Sequence, residues 1–568
     1  MEDARIEAVN ARKQALLAAY ARADLSEDLY GAYALIDLAA GQYAVQANEK
    51  LREVARWFEK AHPKGRDPFG ECDFAAMKLA WAYGRFGEEG LEPATLEAIR
   101  TFFLTYDFQS KYTSENHLLL FHTSRYLMAA ALPEETFGRY GLDGRTLAAA
   151  ERAYLRDFIV LRARQGWDEF DSGCYFAPVW EALSALCDLA PDEEIRCMAR
   201  MMMNVRLADM AVDSLEGMYC GAHGRIYERY ALDHRAECTF FLQYVYFGGR
   251  CLNTEPVPAE ALVSRFVPEA IVESIFQDRH MPYWTRERVR LHCSTYLAPE
   301  RPLPQENVSL RKITYVTARY ALGCVQWEDD YAPGSLAAWH RGHQQHEWDL
   351  TFTGGDTDCR IFTHHPGHSG AEGAEHGYWT GDMLCNCSSH YQQGRAVLSL
   401  YNIPETEECG FIHAYVPRAR FDQVLVRGNS VYVRRGGVYA MLRFVRPFRW
   451  AEEGPYAGVE AISNGRQNGA ALEVCEAEEF EGFDAFIAQM EENTLTLEEQ
   501  TMKLTYRSAQ NGEIVLTRTS RTVNGEKAQL DYPAFESPYL TSEWDSGVIT
   551  LRCAGQKRIY DFNGICQA

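Results

Sequence analysis

Ser114-Glu115-Asn116-His117 opens a strongly apolar run from Leu118 to Leu132, and Tyr175 follows in the segment Asp171-Ser172-Gly173-Cys174-Tyr175-Phe176. An amide and an imidazole entering a helix together can hold a carboxylate, and a phenol in a glycine-containing turn can move a proton beside it. The chemistry this suits is proton transfer beside the carboxylate of an acidic sugar. Its proton alpha to the carboxylate becomes removable once hydrogen-bond donors neutralise the carboxylate's charge. Asn116 and His117 are the candidate donors, and Tyr175 is the candidate group at the proton and the departing glycosidic oxygen. A phenol of ordinary pKa, about 10, is a poor base unless a cation supports it. Arg225, in Gly221-Ala222-His223-Gly224-Arg225-Ile226-Tyr227, is the candidate cation, with His223 and Tyr227 beside it. Each residue also has an ordinary reading: a helix N-cap followed by a surface histidine, a core tyrosine, a structural arginine.

These residues need a scaffold. Residues 1 to about 290 read as helices, over roughly 3–22, 28–61, 71–87, 93–105, 114–132, 146–164, 174–190, 192–213, 235–249 and 259–277. Pro93 in a first turn and the acidic start Pro191-Asp192-Glu193-Glu194 mark helix beginnings. Many segments are apolar on more than one face, as inner helices covered by outer ones would be. After Pro302-Leu303-Pro304 come short β-branched segments such as Ile313-Thr314-Tyr315-Val316, Val397-Leu398-Ser399-Leu400 and Ile514-Val515-Leu516. Turn sequences such as Arg435-Gly436-Gly437 separate them. The expected fold is therefore a helical (α/α) toroid over 1–295, incomplete as a ring, then an antiparallel β-sandwich over 306–568. Phe480–Glu492 reads as one intervening helix.

At 568 residues the chain needs more than one core. Its net charge of −23 argues against a nucleic-acid or anionic-membrane partner. No apolar run reaches membrane-spanning length and no secretory signal opens the sequence, so a cytoplasmic location is expected. That location favours short imported oligosaccharides cut at their ends. The 16 cysteines are scattered, and Cys187 and Cys197 read as reduced thiols in helices. Cys385 and Cys387 form a C-x-C pair that reads as alternating strand residues. Nine of the 16 histidines fall between His340 and His413, a density that suits either a polar cleft or zinc.

A helical toroid followed by a β-sandwich resembles the heparinase II/III-like and alginate-lyase-like polysaccharide lyases. Glu115-Asn116-His117 with Arg125-Tyr126-Leu127 resembles their inner helix, and Asp171-Ser172-Gly173-Cys174-Tyr175 resembles the segment carrying their catalytic tyrosine. Gly342-His343-Gln344-Gln345-His346-Glu347-Trp348-Asp349 is similar to their G-H-x-H-x-D element with one residue inserted, and Thr363-His364-His365-Pro366-Gly367 stands where they have a D-P-G turn. The resemblance implies β-elimination on an acidic oligosaccharide and a structural zinc at His346, His365 and His390, with His364 or Asp358 as substitutes. Histidine replaces the expected acid there. Further substrate contacts are expected from Glu115, Arg125, Trp167, Tyr227, the Tyr378-Trp379 pair and His413; Arg125 also reads as a helix-face ion pair and Tyr378-Trp379 as sheet packing. The competing readings are a hydrolase using two of Glu115, Asp168, Glu169, Asp171 and Glu181, and a carbohydrate-binding protein without turnover. No organic cofactor is expected, and homo-oligomerisation through the toroid is an open expectation.

Overall fold

The computed structural model describes residues 2–61, 72–105, 114–251, 258–291, 309–327, 344–366, 377–380 and 387–564. His340, His343, His368, His376, Cys385 and the stretch 292–308, where the domain change was expected, lie outside the described residues.

The N-terminal half is helical and the C-terminal half consists of antiparallel sheets. Helices Ala32–Ala40, Cys72–Gly90, Glu115–Ala131 and Phe176–Leu189 each touch the next, and the short helix Ala259–Val263 touches both the last and the first. The inner helices thus form a closed ring. Ala44–Ala61, Pro93–Thr105, Gly144–Gln165 and Glu193–Val212 pack outside it. Inner-helix residues such as Ala76, Leu79, Leu120, Leu183 and Leu186 are fully buried, which is why these segments are apolar all round. Start signals hold where a side chain makes them: Asp143 and Asp192 each accept a backbone N–H of their helix's first turn.

The expected segment 28–61 is two helices because Gly41 adopts a left-handed C-cap (φ 66°). Segment 259–277 likewise divides into Ala259–Val263 and Ala270–Gln277. Tyr283–Arg290, within the stretch read as helical, is a strand whose buried positions alternate as Tyr283, Thr285, Glu287 and Val289. Two of those four are polar, so a search for alternating hydrophobicity misses it.

Twelve strands form one antiparallel sheet, from Phe448–Trp450 at one edge to Gln556–Asp561 at the other. A six-stranded sheet lies against it. Val397, Val433, Leu442 and Leu472 face Leu322, Leu350 and Ile361 of the large sheet. Alternate residues of the same strands, Leu398, Met441 and Ala471, face a five-stranded sheet and helix Phe483–Glu492. The last strands return to the helices: Leu540, Ile549, Leu551 and Tyr560 share the core of the helical half.

Two junctions hold the halves in register. His223 and His346 exchange backbone hydrogen bonds of 2.8 and 2.9 Å. The buried Lys312 ammonium pairs with Asp171, with Glu287 at 3.0 Å and with Asp213 at 3.7 Å. Among the described residues twelve cysteines are free thiols, whereas Cys197 is disulfide-bonded, correcting its reading as a reduced core thiol. Among the described residues no helix is long and apolar enough to cross a membrane.

Candidate active site

The inner helices present their N-terminal ends on one face of the ring. Asp73 lies in the first turn of Cys72–Gly90, Asn116 and His117 in that of Glu115–Ala131, and Tyr175 is the N-cap of Phe176–Leu189. Unpaired N–H groups and the positive ends of the helix dipoles make this face receptive to anions.

Tyr175 donates to or accepts from the Tyr227 hydroxyl at 2.5 Å and accepts a hydrogen bond from Arg225 at 3.0 Å. The Arg225 guanidinium also lies over the Tyr175 ring, 4.8 Å from its centroid. These three side chains are partly exposed on a wall of otherwise buried residues. Local backbone geometry fixes them. Asp171 and Arg225 both take left-handed conformations (φ 48° and 54°), which cost L-residues about 1 kcal/mol or more. Each is tied across the turn: the Asp171 carbonyl takes the His223 ring at 2.6 Å, and the Ser172 hydroxyl donates to the Arg225 carbonyl at 2.7 Å. Strain held by cross-links of this kind is typical of functional sites.

Asn116 is fully buried and donates its amide to both oxygens of Glu169, at 2.7 and 2.8 Å. Arg225 stands 3.7 Å from the same carboxylate. Tyr175, Arg225, Glu169 and Asn116 therefore form one continuous chain of contacts. His117 bonds through Nδ1 to the buried Asp73 carboxylate at 2.7 Å. A carboxylate on one ring nitrogen holds the proton there and leaves the other nitrogen as the acceptor.

Burial raises the Tyr175 phenol above its ordinary value, and Arg225 only partly opposes this. Tyr175 thus rests protonated, because Arg225 does not overcome its burial. Burial also raises Glu169, against Arg225 and Asn116, and pushes Glu115 up to about 8 despite Arg162.

The other expected site residues fare differently. Glu115 accepts the backbone N–H groups of Asp168 and Glu169 and pairs with Arg162 at 3.2 Å, so it braces the site from beneath. Arg125 pairs with Glu151 on the outer helix and stacks on Phe121, correcting its assignment to substrate. Trp167 is buried under Arg206, 4.7 Å away, and offers no sugar platform. Trp379 is fully buried and stacks face to face on His413 (3.9 Å, 8°), while Tyr378 stacks on Tyr456 and donates to Glu460 at 2.6 Å. His413 spends Nδ1 on Glu460 at 2.7 Å. This aromatic group is sheet packing, and the sugar-stacking expectation is corrected. His223 is wholly buried and bonds through Nδ1 to the Asp171 carbonyl, so it supports the turn.

The zinc trio does not gather. His346 Nε2 contacts Arg360 at 3.0 Å and Asp349 at 3.4 Å, and His390 Nε2 contacts Glu347 at 2.7 Å. His365 bonds through Nδ1 to the Phe411 carbonyl. Arg360 and burial also hold His346 neutral, with its pKa down to about 3. Among the described residues the group of three donor atoms within 4.8 Å of one another is Asp171, Asp213 and Glu287, and Lys312 already supplies their cation. The predicted histidines do not fit a shared zinc, and no chemistry is routed through one. The hydrolase candidates are similarly committed: Asp168 to Arg162, Asp171 to Lys312 and Glu181 to Lys78.

Sequence reasoning missed Asp73 and the part played by Glu169. Nothing near Asp73 marks it, since its separation of 44 positions from His117 is bridged only by helix packing. Gly173 carries a further constraint: a Cβ there would lie 2.6 Å from Glu237, which His234 and Thr239 both hold at 2.9 Å. Gly173→Ala is expected to cost about 1–3 kcal/mol by overpacking, lowering the melting temperature and displacing the turn that carries Tyr175. Melting curves paired with activity measurements check this.

No family model matches the chain, and no curated protein matches it. In structure it is similar to the chondroitin AC lyase of Streptomyces coelicolor A3 in complex with chondroitin sulphate, at 10% identity and a TM-score of 0.44, over 97% of this chain and 87% of that one. It is also similar to heparinase III (9% identity, TM-score 0.37, 93% and 81% covered). A chondroitinase AC lyase solved with oligosaccharides is a third (9% identity, TM-score 0.32, 98% of each chain).

Proposed function

We propose that this chain is a lyase that cleaves uronate-containing glycans by β-elimination at the Asn116, His117, Tyr175 and Arg225 wall. The observation that carries the reading is the contact chain from Tyr175 through Arg225 and Glu169 to Asn116. It joins a phenolic proton donor to the groups best suited to seat a carboxylate. His117, with its Nδ1 proton held by Asp73, takes the proton from the carbon alpha to the substrate carboxylate. The released electron pair forms the new carbon–carbon double bond as the bond to the glycosidic oxygen breaks. Tyr175 gives its proton to that oxygen, and Arg225 and Tyr227 stabilise the phenolate left behind. The net charge of −23 opposes acidic glycans, and short oligosaccharides suffer less from that repulsion than long polymers.

Ultraviolet absorbance tests this on alginate, glucuronan, hyaluronan, chondroitin and heparan fragments. A rise from the conjugated double bond is expected with at least one. New reducing ends without absorbance would replace the lyase by a hydrolase.

Glu169 adds a pH dependence. Its carboxylate occupies the donors that the substrate carboxylate needs, so the ionised form competes and the protonated form yields. Because its pKa is raised, the protonated fraction persists at higher pH and falls as pH climbs through that value. KM for an acidic substrate should therefore rise with pH. In Glu169→Gln, KM should be lower at high pH and its pH profile flat; a profile unchanged from the parent would dismiss the competition.

A further inference from the structure

Helix Cys72–Gly90 carries Asp73 at the catalytic face and Arg85 about 18 Å further along its axis. At that far end a half-open cleft of 420 Å³ lies between the first two helices of the chain, the end of Cys72–Gly90 and the segment after Ala259–Val263. Its polar lining is Asn10, Lys13, Gln14, Arg85, Glu89 and Arg265. Three cations thus meet one lining acid in a protein whose net charge is −23.

Among the described residues, no carboxylate forms an ion pair with Lys13, Arg85 or Arg265, although Arg, Glu and Asp pair elsewhere throughout the molecule. The Arg85 Nε is buried without a hydrogen-bond partner. Arg265 stands close enough to depress the Arg85 pKa further, after burial, and Asp188 offsets this only in part. The Asp188 carboxylate instead accepts the backbone N–H of Arg265 at 2.7 Å. Lys13 is buried, gives two hydrogen bonds to the carbonyls of Ser264 and Phe266, and is pushed down to about 7 by burial. Asp188 acts on both Lys13 and Arg85 without forming an ion pair, and a bound anion would further relieve the like-charge approach of Arg85 and Arg265. The volume exceeds what a lone inorganic ion fills and falls in the range of small-ligand sites.

We propose that this cleft binds a small organic polyanion, a phosphate- or carboxylate-bearing molecule, at a site separate from the catalytic wall. Arg85 and Arg265 supply the charge, and Lys13, Asn10 and Gln14 complete the polar lining. The proposal does not depend on the lyase reading.

Equilibrium dialysis of the full chain with radiolabelled citrate and, separately, inorganic phosphate tests it at constant ionic strength. Saturable binding of at least one probe at a single site is expected. Arg85→Gln and Arg265→Gln should each weaken it by about tenfold or more, the effect of losing one charge-assisted hydrogen bond. Arg225→Gln, at the catalytic wall, should leave it unchanged. Citrate binding alone would identify a carboxylate ligand, and phosphate binding alone a phosphate ligand. Absence of saturable binding by either probe, binding indifferent to both cleft variants, or binding lost with Arg225→Gln would overturn the proposal. Melting temperatures of the unliganded variants establish that each is folded.

Discussion

Tyr175→Phe is expected to reduce turnover by about a hundred- to ten-thousand-fold while leaving the protein folded and able to bind substrate. Only the hydroxyl is lost. The ring keeps its place at the N-cap of Phe176–Leu189 and under the Arg225 guanidinium. What disappears is the hydroxyl that Arg225 and Tyr227 hold in position, at 3.0 and 2.5 Å. The readout is the rate of ultraviolet absorbance gain on the best substrate of the panel, with KM measured alongside. A variant retaining more than a tenth of the parent rate would remove Tyr175 from the proton-transfer step. A variant with unchanged turnover but a raised KM would make it a binding residue.

Asp73→Asn should be nearly as damaging, although Asp73 is buried and is a positioning residue. The carboxylate accepts the His117 Nδ1 proton at 2.7 Å. An amide of the same shape can instead donate to Nδ1, which moves the proton to the other ring nitrogen and removes the base. Where a carboxylate-held histidine is given the wrong tautomer, turnover falls by about ten-thousand-fold with geometry intact. The expected result is a fall in kcat of about a thousandfold or more with KM little changed. If His117 instead served as a charged donor to the substrate carboxylate, the same substitution would raise KM more than it lowers kcat. The split between the two parameters therefore reads out which role the imidazole plays.

Part of this was legible beforehand because it rests on local signals. Asn116 and His117 stand at the start of an apolar run, and Tyr175 lies in a turn forced by Gly173, where a Cβ would collide with Glu237. Arg225 was nominated only because a tyrosine needs a cation, and it does lie on Tyr175. Arg225 lowers the Tyr175 pKa as a cation should, but burial raises it more, and burial depends on neighbours that the sequence does not name. The aromatic pair Tyr378-Trp379 shows the same gap: residue type alone cannot tell a sugar platform from a ring stacked on His413 and Tyr456. The histidine-rich stretch carries the same ambiguity. Spacing along strands does not fix which nitrogen a neighbouring carboxylate or guanidinium occupies, and Asp349, Arg360 and Glu347 had already taken those of His346 and His390.

By itself the sequence determined the two halves, helical then antiparallel sheet, and the identity of the residues at the inner-helix starts, because hydrophobic period and turn chemistry are written into neighbouring positions. Tertiary structure alone decided that Asp73 serves His117, that Glu169 holds Asn116, that Lys312 neutralises Asp171 across the two halves, and that Lys13, Arg85 and Arg265 line one cleft. Those are contacts between residues tens to hundreds of positions apart. Charge pairing and burial act through space, so only the packed chain sets them.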